Sequence, residues 1–497
     1  MSRGRATTAT GPAWPVPRMP AAPGWLWVAL GFALVQLALA SRYGFHRDEL
    51  YLVEAGRHPA LGYADQPASV PLLARAWYDT VGGALAAFRV VPALAGALVV
   101  VVAALTCREL GGGRRDATWT AAVVATATTV LAVAHLFSTT VLDVLLSSTL
   151  VLLLLRAVRT GRARAWLGAG AVAALALTVK TLPVSLLACA GLALLLVGPR
   201  APFRSPWAWS AAGLAGLGLA PTLLWQSRNG WPQTALAAAI ADGGSGTSVD
   251  RALLVPMLAT LTGPGTFAVV VVGGLALRRR AGLRWVPVTA VLLLGVVLLT
   301  GGKPYYLLGV VPVLVAAGVP VCRRWAAGRR GRTGLLLGLF AVNAVVGSFL
   351  ALPLLPPALA PVAVVHDHGE QVGWPELVGT VTTAVSAADA QAVLTQNYGQ
   401  AGALDQARDR GADLPQVRSG HNGYWWWGPP TADVVTVVTV GWRDPAPLLG
   451  WFGACEQVGT VGNDAGVDND EDGTPVRVCT APRADWDELW PQVQRLG

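Results

Sequence analysis

The sequence predicts a polytopic α-helical membrane protein with a small α/β domain at its C-terminal end, and three observations carry that prediction. Of 497 residues, 54% are apolar and only 13% are charged. Long uncharged runs recur from Trp25 to Leu355, and basic residues fall in every second loop between them.

A hydrocarbon core about 30 Å thick needs about 20 apolar residues of helix to cross it. Runs at 24–41, 89–106, 118–134, 139–155, 165–181, 183–198, 207–225, 252–277, 285–300, 304–321 and 333–354 each come near that length, which predicts about eleven transmembrane helices. Some are rich in Gly and Ala, as packed membrane helices often are.

Lys and Arg mark cytoplasmic loops. With the tail bearing Arg3, Arg5 and Arg18 inside, the basic loops lie at 108–115, 156–164, 200–204, 278–284 and 323–332. That alternation puts the 41–88 loop, the 226–251 loop and everything after about residue 355 outside the cytoplasm. Residues 1–23 read as a disordered cytoplasmic tail, 24–354 as the membrane domain with its outer loop 41–88, and 355–497 as an extracytoplasmic domain. The last segment is acidic, so the net charge of +9 is mostly a topogenic signal and argues against a nucleic-acid partner. Ala38-Leu39-Ala40 resembles a signal-peptidase site, but the preceding apolar stretch and Pro-rich tail are long for a signal peptide.

Helical patterns at 376–388, 398–409 and 485–496 alternate with β-rich runs at 392–395, 434–440 and 476–479. Such alternation predicts a small layered sheet with helices against it. Cys107, Cys189 and Cys322 sit at or within membrane helices, where a free thiol behaves as a small hydrophobe. Cys455 and Cys479 fall on the oxidising side around a turn-rich acidic segment, and are expected to pair. No CxxC pair or His/Cys cluster indicates zinc.

Ionisable residues at a bilayer are costly, so each is a functional candidate. The densest group is Phe45-His46-Arg47-Asp48-Glu49-Leu50-Tyr51, just beyond the first helix, followed by Tyr63-Ala64-Asp65-Gln66-Pro67. A carboxylate held at a dry membrane surface can serve as a general base, kept ionised by a nearby Arg or His. The plainer reading is a solvated helix with local ion pairs. Asp143, Lys180, Lys303, Tyr305 and Tyr306 fall on the same side, with His135 in the turn before Asp143. Lysines can hold a phosphate as point charges; their bland alternative is snorkelling to the interface, and that of Asp143 is a helix–helix hydrogen bond. Asp48, Glu49, Lys180 and Lys303 are expected to line one cavity. Asp468-Asn469-Asp470-Glu471-Asp472-Gly473 matches the opening of a calcium loop, but Cys479 stands where a Glu would close it, so an acidic turn is the favoured reading. For Trp425-Trp426-Trp427, interfacial packing is favoured over stacking on a sugar.

These loops, with Lys303-Pro304-Tyr305-Tyr306, Gly373-Trp374-Pro375-Glu376-Leu377, Asn397-Tyr398-Gly399-Gln400-Ala401-Gly402-Ala403-Leu404 and Ser419-Gly420-His421-Asn422-Gly423-Tyr424-Trp425, resemble the dolichyl-phosphate-mannose protein mannosyltransferase superfamily. That superfamily includes bacterial aminoarabinose transferases and the bacterial branch labelled glycosyltransferase family 39. The resemblance covers nearly the whole chain after residue 24. It implies a GT-C fold, a polyprenyl-phosphate-linked sugar donor, and inverting transfer to a lipid, polysaccharide or protein acceptor. Carried over by position, Asp48 is the catalytic base or the carboxylate that positions the acceptor, with Glu49 beside it, and Lys180 and Lys303 contact the donor phosphate. His46, Arg47, Asp65, Gln66, Asp143, Tyr305, Tyr306, His421 and Asn422 join them as substrate-binding candidates. The resemblance implies no certain cofactor and leaves a divalent cation open. Pro67-Ala68 stands where a second proline is usual, which weakens the role of Asp65. The alternative is a transporter or flippase, although transporters place their sites near the midplane and here the polar residues crowd one face. A non-catalytic scaffold would leave the paired loop carboxylates unexplained.

Overall fold

A computed structural model describes residues 22–243, 249–360 and 365–497; most of the tail assigned to 1–23 lies outside them. Among the described residues, six helices are long and apolar enough to cross a membrane: Leu85–Glu109, Thr139–Thr160, Pro206–Arg228, Ala281–Thr300, Pro304–Ala326 and Arg330–Ala351. Gly24–Leu39, Ala163–Val179 and Pro183–Val197 are shorter apolar helices. The outward faces of the long helices keep large apolar side chains exposed, such as Leu299 at 81% and Leu217 at 71%. A helix apolar on all sides is one built to meet lipid or protein on all sides, and the chain is a multi-pass membrane protein.

Two of the eleven expected runs are not single straight spans. The 118–134 run breaks into Arg114–Ala125 and Thr128–Val133, and the 252–277 run bends by 107° between Arg251–Thr262 and Pro264–Arg278. At the bend Gly263 has φ +85°, and Pro264 brings no N–H to continue a helical ladder. Irregular backbone survives at membrane depth only where protein satisfies it. Asn343 does this at the first break, donating to the Thr126 carbonyl at 3.1 Å, and its side chain also packs against Gly263 at the second.

The loop after the first helix folds into two more helices, Arg47–Arg57 and Ser69–Thr80. The first begins with a cap in which the His46 ring accepts the Asp48 N–H and the Glu49 carboxylate accepts the His46 N–H. It then buries Leu50, Tyr51, Leu52, Val53 and Ala55.

The C-terminal unit is a five-stranded sheet in the order β2-β1-β3-β5-β4. The strands are β1 (Ala392–Thr395), β2 (Gln416–Ser419), β3 (Thr436–Val440), β4 (Phe452–Thr460) and β5 (Pro475–Pro482). β1 runs parallel to β2 and β3, and β5 is antiparallel to β3 and β4. A strand with parallel neighbours is covered on both faces and reads as an uninterrupted apolar run; Ala392, Val393 and Leu394 are fully buried. β2 and β4 escape sequence reading because their outward residues, as in Gly453-Ala454-Cys455-Glu456-Gln457, are polar or small. Cys455 and Cys479 face each other across β4 and β5 and are disulfide-bonded, with Cα atoms 4.1 Å apart.

The helix Trp486–Val493 covers one face of the sheet, packing Trp486, Leu489 and Trp490 against Leu394 and Val437. Leu377 and Val381 of the helix Trp374–Ala388 and Leu404 of the helix Tyr398–Asp409 cover the other. That second core continues without a gap through Leu50, Tyr51 and Val53 to Phe88 and Phe137 at the membrane helices. The sheet unit and the first loop are one packed body.

Candidate active site

A cavity of about 1450 Å³ lies where the loop helices, the ends of the membrane helices and the sheet unit meet. Asp48, Lys180 and Lys303 all line it, together with Arg47, Asp65, Gln66, Tyr305, Tyr306, His421 and Asn422. Three of the expected site residues do not line it: His46, Glu49 and Asp143.

Helical geometry separates Asp48 from Glu49. Successive residues on a helix point about 100° apart, so neighbours diverge, and here Glu49 falls on the side turned away from the cavity. Asp48, Tyr51 and Leu52 face inward. Glu49 points into the protein, is fully buried, and is bridged by Arg89 at 2.7 Å (Nη2–Oε2) and 3.0 Å (Nε–Oε1). It also accepts the Phe137 N–H at 2.9 Å. Arg89 goes on to donate to the carbonyls of Ala40 and Gly44 and to Gln371 Oε1. The expectation that Glu49 lines the cavity beside Asp48 is therefore corrected: it is half of a buried ion pair that joins the first helix, the loop, a membrane span and the sheet unit. Arg89 was missed because in sequence it is a lone base at the edge of an apolar run.

Asp48 accepts a hydrogen bond from Tyr398 Oη at 2.8 Å. Burial alone would raise its carboxyl, but His46, Arg47, the Tyr398 hydroxyl and Lys303 together outweigh it and hold the group below the usual carboxylate range. Asp65 accepts from Tyr51 Oη at 2.8 Å, yet burial pushes its carboxyl up to about 6. The environments of the two loop carboxylates thus differ, a pattern that divides acid from base roles. His46 caps the helix, its Nδ1 accepting the Asp48 N–H at 3.1 Å.

Lys180 follows directly after the helix Ala163–Val179. Its Nζ lies 3.4 Å from Thr140 Oγ1 and 5.4 Å from the ring centres of both Tyr305 and Tyr306. Lys303 Nζ is 5.9 Å from the Tyr305 ring, and burial brings its ammonium down to about 8. Asp143 sits behind this group, buried and bonded to Ser147 Oγ at 3.2 Å. Leu236 and Ile240 add apolar wall to the same cavity. Two ammonium groups and a short apolar stretch thus share one cavity.

The far end is polar and comes from the sheet unit: Asn397, Tyr398, Gln400, Arg443 and Arg495, none of them singled out from sequence as site residues. Burial pushes the His421 imidazole down to about 3, so it is neutral. Its Nδ1 accepts the Tyr398 N–H at 3.4 Å and its Nε2 lies 2.9 Å from the Gly497 carbonyl. Asn422 Oδ1 accepts the Gly497 N–H at 3.2 Å.

His366, Glu370 and Asp470 offer ligand atoms within 4.8 Å of one another at the cavity mouth and could hold a divalent cation. Arg47 already occupies the cluster, with Nε 3.0 Å from Glu370 and Nη1 3.6 Å from Asp470. His366, raised to about 10 by hydrogen bonds to Asp470 and Glu370, supplies a second positive charge. The arrangement is a closed ion-pair network. The acidic run around it is a structural turn: Asn469 donates to the carbonyls of Gly369 and Val372, and Glu471 accepts from Asn397 and Gln400. Trp427 stacks on His58 at 4.4 Å and Trp425 donates to the Trp490 carbonyl.

Residues 65–225 match the sequence model of the dolichyl-phosphate-mannose-protein mannosyltransferase family. That segment holds Asp65, Gln66, Asp143 and Lys180 but stops short of Asp48 on one side and Lys303 on the other. No curated protein matches the chain by sequence. The crystal structure of ArnT from Cupriavidus metallidurans in the apo state superposes with a TM-score of 0.59 at 13% identity, covering 91% of this chain and 97% of that one. The structure of the same protein bound to undecaprenyl phosphate gives 0.58 at 15%, covering 92% and 98%. The likeness is one of fold, extends over nearly the whole chain, and agrees with the GT-C architecture that the motifs imply.

Proposed function

We propose that this GT-C-fold membrane protein is an inverting glycosyltransferase, moving a mannose, pentose or similar sugar from a polyprenyl phosphate to a hydroxyl acceptor on the extracytoplasmic side. The observation that carries the reading is that Asp48, held ionised, shares one cavity with two lysines and with the apolar Leu236 and Ile240. The ArnT of the second comparison binds undecaprenyl phosphate, which makes that lipid the natural donor carrier to test.

In this reading the phosphate sits between Lys180 and Lys303, and the sugar points toward Asp48. The acceptor oxygen attacks the anomeric carbon from the face opposite the phosphate. The bond from that carbon to the phosphate oxygen breaks, its electron pair leaves with the lipid phosphate, and the acceptor proton passes to Asp48. The leaving phosphate needs charge stabilisation more than a proton, which fixed ammonium groups supply. The transporter alternative fits less well, because the charged residues gather at one rim.

Loss of a general base typically slows a reaction by about a hundredfold to ten-thousandfold. Asp48→Asn should lower transfer by that range while binding undecaprenyl phosphate as before. Lys180→Ala or Lys303→Ala should instead weaken donor binding. Near wild-type transfer by Asp48→Asn would remove the base assignment, and full activity in all three variants would favour the transporter.

A further inference from the structure

The sheet unit touches the proposed chemistry at one point that no motif comparison assigns. Tyr398 opens the helix Tyr398–Asp409, and its hydroxyl reaches Asp48 Oδ1 at 2.8 Å. Its ring is held on three sides, by Tyr51 at 4.8 Å, by His421 at 4.7 Å and by the Arg47 guanidinium at 5.7 Å. The close approach depends on missing side chains. A Cβ on Gly399 would lie 2.6 Å from Arg47 Cβ, and one on Gly402 would lie 2.8 Å from Leu50 Cβ. The first turn is pinned by the Asn397–Gln400 capping box, whose side chains both donate to the buried Glu471.

We infer that the C-terminal unit completes the catalytic machinery, with Tyr398 as a positioning residue that occupies one oxygen of Asp48 and leaves the other for the acceptor proton. This rests on Asp48 being the base. A carboxylate on a helix still turns about its own side-chain bonds, and a hydroxyl anchored to a second rigid element removes that freedom. A side chain locked by packing and hydrogen bonds is what holds catalytic geometry to within about half an ångström. Tyr51 holds Asp65 in the same way from within the loop, its own hydroxyl fixed by the Gly423 N–H at 3.0 Å.

The test uses the full chain in membranes of its own host cells deleted for the native copy, supplied with radiolabelled undecaprenyl-phosphate mannose and, separately, an undecaprenyl-phosphate pentose. Tyr398→Phe keeps the ring and removes the hydroxyl. A hydrogen bond to a charged group is worth about a tenfold to hundredfold change in rate, so transfer at saturating donor should fall by that much with donor KM unchanged. The groups facing Asp48 are His46 and Arg47 on its own helix, Tyr398 and His421 from the sheet unit, Lys303 from the membrane side, and Asp65 with Tyr51 from the loop. Of these Tyr398→Phe removes only one donor, so the acid limb of the pH–rate profile should move to higher pH. Tyr424→Phe removes another buried hydroxyl, bonded to Asp405 at 3.1 Å, and should leave that limb in place. A wild-type rate and profile for Tyr398→Phe overturns the inference. So does a loss expressed only as raised donor KM, or an equal shift of the limb in Tyr424→Phe. An inactive Asp48→Asn beside a wild-type Tyr398→Phe would refute this inference alone; an active Asp48→Asn would refute the function it rests on.

Discussion

Asp48 and Glu49 are adjacent in the chain but face apart on their helix, Asp48 to the cavity and Glu49 to Arg89 in the interior. Glu49 and Arg89 are both buried, at 0% and 1% side-chain exposure. Breaking one side of such a pair strands a charge in a dry interior and costs about 3–5 kcal/mol. Glu49→Gln should therefore lower the thermal midpoint of the detergent-solubilised protein sharply, whereas Asp48→Asn at the cavity wall should lower it little. If Glu49→Gln keeps a wild-type midpoint yet loses transfer, Glu49 returns to the catalytic list. Nothing in the sequence distinguishes the two acids. Their separation depends on where the helix begins, and the His46 cap sets that start.

At the scale of elements, the segment His366–Gln371 ties the sheet unit to the loop helix through Arg47, Glu370 and Asp470. Hydrogen bonds to Asp470 and Glu370 raise His366 from 6.5 to about 10 in the folded state. A raised folded value means that protonation favours the folded form, so this contribution is complete below pH 6.5 and disappears as pH rises through about 10. The thermal midpoint of the wild type should fall more between those limits than that of His366→Gln. Parallel curves for the two proteins would show that the histidine contributes no pH-dependent stability. The apolar elements were legible because period and length carry their signal: β1 is found at the residues expected, and the helix Tyr398–Asp409 likewise. The loop helices were not, because the apolar face of Arg47–Arg57 packs on Tyr398–Asp409, more than 300 residues away in the chain, and Ser69–Thr80 packs in turn on Arg47–Arg57. The two broken spans were missed for a similar reason, since an uncharged run looks the same whether a distant Asn343 supports a break or not.

For the whole molecule, the basic-loop alternation makes one prediction on which the mechanism depends. A reporter active only outside the cytoplasm should work when inserted after residue 360 and fail after residue 160. The reverse pattern would put the cavity on the wrong side for an extracytoplasmic acceptor. Membrane class, the proposed orientation and the presence of loops dense in ionisable residues follow from composition and charge order, because hydrophobic length and basic loops act locally and need no partner to be read. Which carboxylate faces the cavity, which base is buried, and that a tyrosine of the sheet unit holds Asp48 were decided only by tertiary structure. Those outcomes hang on contacts between residues 40 (Glu49 with Arg89) to 350 (Asp48 with Tyr398) positions apart, and a single sequence carries no physical signal for a contact until the chain has folded to make it.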